Sequence, residues 1–196
     1  METQDFRRWL IPSARVHTNV EITAFPTAEA YYEALRGLID KTGKGDVIFL
    51  SGWEMDIHQP FGANLPSVDS VQKVLAAAAG RGAKIRALLD EDQHVAVAKL
   101  ISESTHGILG PELTDADKFR DAKNREAVKA INDLGGQAML DDQHLKAGAF
   151  HQKLAFVKVA EEAYGFCGGV DIARRWTWRD VQLQFREPRP WKSWPP

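Results

Sequence analysis

The sequence predicts an α/β fold: a mixed, largely buried β-sheet flanked by helices on both faces. Three observations carry this expectation. Short runs rich in β-branched and aromatic residues alternate along the chain with stretches of helical periodicity. Each helical stretch is followed by glycines, which let the chain turn back. The 196 residues, 44% of them hydrophobic, suffice for one compact domain that buries about 70% of its unfolded surface.

The first predicted strand covers residues 16–23. A helix follows over 28–40, because Tyr31, Leu35, Leu38 and Ile39 recur on one face and Thr27 stands where a cap is needed. Gly43 and Gly45 free the chain to turn into a strand over 47–53. The second helix, 68–79, begins after Pro66 and Ser67 and ends at Gly80 and Gly82, where a left-handed terminus costs little. A strand over 84–89 comes next. The third helix, 114–134, opens on Thr114 and closes at Gly135 and Gly136. Its charges, Asp117, Lys118, Arg120, Asp121, Lys123, Arg125 and Glu126, read as a solvated face. Strands over 137–140, 153–159, 163–167 and 181–185 complete the sheet. The chain 1–196 reads as one domain whose last ten residues, 187–196, are too rich in proline to continue strand or helix.

The 25 basic and 27 acidic residues nearly cancel, so total charge argues for no general attraction to nucleic acid or membranes. Any polyanion contact must be local. The one basic region is the end of the chain, where Arg174, Arg175, Arg179, Arg186, Arg189 and Lys192 meet only Asp180 and Glu187. Trp176, Trp178, Trp191 and Trp194 interleave with them, either as stacking surfaces for a nucleic acid or lipid headgroup or, on the plainer reading, as docking residues rimmed by solvated arginines. The single cysteine, Cys167, excludes an internal disulfide, and its neighbours Phe166 and Val170 point to a buried, inert thiol. The N-terminal METQDFRRWLIPSARV lacks the apolar run of a signal peptide, and no later stretch approaches a membrane span. The expected compartment is the cytoplasm, with export by a system that needs no such peptide left open.

Two echoes, Glu91-Asp92-Gln93-His94 and Asp141-Asp142-Gln143-His144, set acids beside a histidine. Without a cysteine cluster or a helical HExxH they read as polar loops after strands rather than as metal ligands. Stronger chemistry sits in Phe150-His151-Gln152-Lys153, at the entry to an apolar strand, where a period of two aims His151 and Lys153 at one face. Histidine serves as nucleophile or proton carrier near neutral pH, and lysine offers a positive charge to a phosphoryl oxygen. A His-x-Lys triplet alone is equally a charged strand edge. After a second short strand comes Gly168-Gly169-Val170-Asp171, in which the glycines permit close backbone approach to a ligand. Asp171 could orient the histidine or a water, or simply cap a turn.

HQKLAFVK followed by FCGGVDIARRW resembles the signature of the phospholipase D superfamily, HxKxxxxD followed by GG and a short polar residue, and looks most like the N-terminal half of a two-motif bacterial enzyme. VIFLSGWEMD at 47–56 is similar to that half's early strand and GWxxD segment, and RGAKIRALLD at 81–90 to its second strand. Asp142-Gln143-His144 and Trp178-Arg179-Asp180 also fit, so the resemblance spans about 20–186. It implies one lobe of an α/β/α sandwich without a metal or other cofactor. His151 would attack phosphorus or protonate the leaving alcohol, Lys153 would hold the phosphate and Asp171 would assist. Gly168, Gly169, His144, Trp53 and Asp56 would line the substrate site.

The chain departs from the pattern at Lys158, which occupies the motif's acid position, and at Arg179 and Phe150, which replace histidines. Lys158 is seven residues from His151 and so faces the other side of the sheet, away from the phosphate. Only one HxK triplet, that of His151 and Lys153, leads into an apolar strand, while two opposed histidines make one site in that superfamily. The expected partner is therefore a second copy in a homodimer, or a second phospholipase D half. The expected substrate is a phospholipid, met by transient membrane-surface contact, or another phosphodiester. The alternatives are a dimeric single-motif nuclease acting on nucleic acid and an inactive truncated fragment.

Overall fold

The computed structural model describes residues 20–62, 69–91, 115–141, 151–173 and 180–186, with 115–119 described by backbone alone. Its strands are β1 (Glu21–Phe25), β2 (Val47–Gly52), β3 (Lys84–Asp90), β4 (Gln137–Asp141), β5 (Leu154–Val159), β6 (Glu162–Gly168) and β7 (Gln182–Arg186). The described helices are α1 (Ala28–Ile39), α2 (Val71–Gly80) and α3 (Asp115–Asp133). All seven strands join one sheet in the order β1-β7-β6-β5-β2-β3-β4. β2, β3 and β4 are parallel, and every other neighbouring pair is antiparallel. This is the predicted α/β class with a mixed sheet.

The core explains why these segments take these forms. Ile48, Leu50, Ile85, Ala87, Leu89, Ala155, Val157 and Phe166 lie on one face of the sheet and are buried. Against them pack Tyr31, Tyr32, Leu35 and Ile39 of α1, Val71, Val74, Leu75 and Ala78 of α2, and Ala127 and Ile131 of α3. The described residues supply no helix to the core from the opposite face.

Thr27 caps α1 as its chemistry requires, its side chain accepting from the Ala30 amide at 3.2 Å. α2 starts at Val71, three residues later than expected, because Ser70 is its cap; Asp69 and Ser70 are not helical, and Val68 lies outside the described residues. β1 ends two residues later than expected, and residues 16–19 are outside the described part. Cys167 is exposed, contrary to expectation. Phe166 turns into the core, and the alternation of a strand sends its neighbour outward.

The sheet gathers the chemically interesting ends at one edge. Parallel β2, β3 and β4 all finish there, at Gly52, Asp90 and Asp141. β5 begins there, Leu154 pairing with Ser51, and so do the end of β6 and the start of β7, where Gly168 pairs with Gln182. The carboxyl edge of parallel strands is the place where open α/β sheets bind ligands.

Candidate active site

Gly52, the last residue of β2, lies close against Asp171: a Cβ there would stand 3.2 Å from Asp171 Oδ1, a tight contact that the carboxylate would have to yield to. The chain then turns so that the amides of Trp53 and Glu54 donate to that same oxygen at 2.9 and 3.1 Å. The other carboxylate oxygen, Oδ2, pairs with Lys153 Nζ at 3.0 Å. Both side chains are 5% exposed. Lys153 Nζ also donates to the His151 carbonyl at 3.2 Å. An ammonium has three N–H groups; among the described residues two have acceptors, which leaves the third to meet an incoming one.

Burial raises the Asp171 carboxyl above its ordinary range, and the Lys153 ammonium and the two amides offset only part of that rise. Tyr32, itself buried in α1, holds the same turn from the core side. Its hydroxyl donates to the Asp171 carbonyl and lies 3.2 Å from that of Ala173. Burial pushes that hydroxyl up to about 12, so it stays a donor.

His151 is exposed and lies against the Trp53 ring, with centroids 4.9 Å apart. Lys153 Nζ stands 5.4 Å from the centroid of that ring, and the Arg120 guanidinium 4.3 Å. The sequence-predicted residues His151, Lys153, Asp171 and Trp53 are therefore brought together. Trp53 lies between histidine and lysine as a shared support.

Other predicted positions sit differently. Asp56 is buried, pairing with Lys123 at 3.2 Å and accepting the His58 amide at 3.0 Å, while its own amide donates to the Ile172 carbonyl. The space beside the glycine pair belongs to the chain itself. A Cβ on Gly168 would come within 2.2 Å of the Val181 carbonyl oxygen, and one on Gly169 within 2.1 Å of Asp180 Oδ2. Lys158 pairs with Asp46 at 3.7 Å. Five residues of strand, about 16 Å, separate it from Lys153. His144 lies outside the described residues, as do Phe150, Arg179 and both acid-histidine echoes apart from Glu91 and Asp141.

α3 contributes more than its charge pattern suggested. Lys123 bridges Glu54 at 2.9 Å and Asp56, with its side chain 11% exposed, and Asn124 is wholly buried beneath the β2 loop. The expectation of a solvated face holds for Arg125 and Glu126, which are exposed. It fails for Asp121, which is buried beside Arg125 of the same helix, and for Lys123, whose partners Glu54 and Asp56 come from a loop distant in sequence, which helical periodicity cannot register.

No protein-family model matches the sequence, and no curated protein matches it. Solved structures do. A phospholipase D family member, Nuc from Salmonella typhimurium, superposes with a TM-score of 0.51 at 15% identity, covering 89% of this chain and 85% of that one. Phosphatidylserine synthase from Haemophilus influenzae Rd KW20 gives 0.54 at 12% identity over 86% of this chain and 34% of its own. The chain thus has the fold found in a phospholipase D family member, a mixed seven-stranded sheet with its helices, carrying His151 and Lys153 at the sheet's carboxyl edge.

Proposed function

We propose that this chain is a phospholipase D-like phosphodiesterase lobe that cleaves phospholipid headgroups through a phosphohistidine intermediate. The observation that carries the reading is the exposed His151 imidazole beside a buried, carboxylate-held Lys153, both resting on Trp53. His151 attacks phosphorus and forms the N–P bond as the P–O bond to the headgroup alcohol breaks. An opposed histidine from a second lobe protonates the departing oxygen. It then takes a proton from the water that releases phosphate ester from His151. The third N–H of Lys153 meets the charge developing on a phosphoryl oxygen, at a buried position where the attraction is stronger than in water.

The second lobe is a second copy of the chain. Coverage of 85% of Nuc supports this, since one lobe of this length accounts for most of a solved protein. It also keeps a nucleic-acid phosphodiester in view as substrate. Headgroup release from phosphatidylcholine vesicles and nicking of plasmid DNA are to be measured side by side, with His151→Ala as control. Headgroup release falling at least about a thousandfold in the variant is expected. DNA nicking lost in the variant, with no lipid turnover, would transfer the mechanism to nucleic acid. Absence of both activities at concentrations where dimers form sinks the enzymatic reading.

A further inference from the structure

The side chain of Asn124 is committed wholly to backbone around the candidate site. It is 0% exposed. Its Oδ1 accepts from the Met55 amide at 2.9 Å, and its Nδ2 donates to the carbonyls of Trp53 and Asp90, each at 2.9 Å. The Trp53 carbonyl and the Glu54 amide belong to one planar peptide unit. The carbonyl end of that unit is gripped by Asn124, and its N–H end donates to Asp171 Oδ1 at 3.1 Å.

We propose that Asn124 is a positioning residue for the Lys153–Asp171 pair. It fixes the plane of the 53–54 peptide, aims that N–H at Asp171, and so sets where the carboxylate holds the ammonium. A hydrogen bond accepted at the carbonyl end also polarises the unit and strengthens donation at the other end. The position needs one acceptor and two donors at once in a short side chain, which asparagine supplies and aspartate or leucine does not. The link to the Asp90 carbonyl ties the same loop to the end of β3, so three elements meet on one amide group. The catalytic consequence rests on the phosphodiesterase reading of His151 and Lys153; the positioning itself does not.

The test is a carbon-13 NMR titration of the Asp171 carboxyl in the wild type and in Asn124→Ala. Loosening the 53–54 peptide weakens hydrogen bonds to the charged carboxylate, so the Asp171 midpoint is expected to move further up by about half a pH unit or more. The acid limb of kcat/KM should move in the same direction. A residue serving stability alone would lower the melting temperature and the total activity while leaving the midpoint in place. Equal midpoints in the two folded proteins overturn the proposal. Should the variant fail to fold, the wild type carries the test. The Asn124 side-chain amide and the Trp53 and Glu54 amides should then follow the Asp171 titration with one midpoint, and a flat Asn124 response overturns it. If the wild type cleaves no phosphodiester, the proposed function fails, and the carboxyl titration still decides the role of Asn124.

Discussion

Lys158 reaches Asp46 at 3.7 Å, and the same carboxylate accepts the Ala160 amide and the Gly43 amide, each at 2.9 Å. The acid of this ion pair thus lies at Asp46, at the start of β2, and is tied into two turns. A Lys158→Asp change would recreate the HxKxxxxD spelling but set two carboxylates against each other in a partly buried place. It should lower stability by about 1–2 kcal/mol without raising activity, while Lys158→Met costs less. Urea unfolding of the two variants checks the order. Asp171 makes the complementary case. Its folded-state carboxyl lies above the ordinary range, so the folded protein holds that proton more tightly than the unfolded chain does. Its contribution to stability is fully present below the ordinary carboxylate range and is lost as pH rises through the raised value. Asp171→Asn removes this dependence but leaves the Lys153 ammonium buried without its counter-charge, at a cost of about 3–5 kcal/mol near neutral pH. Adding Lys153→Met should recover most of that stability and none of the activity. A double variant as unstable as the single one would contradict the ion-pair account.

The β6–β7 corner shows what the glycine pair does within its own chain. A Cβ on Gly168 meets the Val181 carbonyl oxygen at 2.2 Å and Gln182 Cα at 2.8 Å, both backbone. On Gly169 the three nearest atoms all belong to the Asp180 carboxylate, the end of an exposed side chain that can swing away at the loss of its bond from the Val181 amide. Gly168→Ala is therefore expected to cost about 1–3 kcal/mol through displaced β7 pairing, and Gly169→Ala less, with Asp180→Ala absorbing the Gly169 effect. Thermal melts of the three variants and the Gly169–Asp180 double give the comparison. Equal losses at both glycines would contradict it. The strands were readable from sequence because apolar runs bounded by glycine have few alternatives, and the α1 start because Thr27 can bond only a nearby amide. The supports of the site were not readable. Tyr32 holds the Asp171 turn across 139 residues, and Asn124 holds the 53–55 loop across about 70. Such contacts are fixed by how the sheet brings its ends together, and no local pattern encodes them.

In the proposed mechanism each chain brings one imidazole, that of His151, to the phosphorus, and this limits the whole molecule, because attack and leaving-group protonation occur on opposite sides of phosphorus. The proposed twofold dimer would place two copies of His151 and Lys153 around one phosphate, by an interface in which each copy presents the same surface. If both histidines of such a pair are required, activity depends on the square of the wild-type fraction in a mixture with His151→Ala chains. Equal amounts should then retain about a quarter of the activity after subunit exchange. A lobe acting alone would retain about half. Light scattering across the same concentration range should show the dimer appearing as activity does, and salt should separate the substrates. A near-neutral chain on a zwitterionic lipid responds weakly to ionic strength, whereas binding to a polyanion by local cations falls steeply as salt rises. Linear dependence on wild-type fraction, with activity in a concentration range where only monomer is present, would rule out the shared site and require the second proton carrier to come from the same chain.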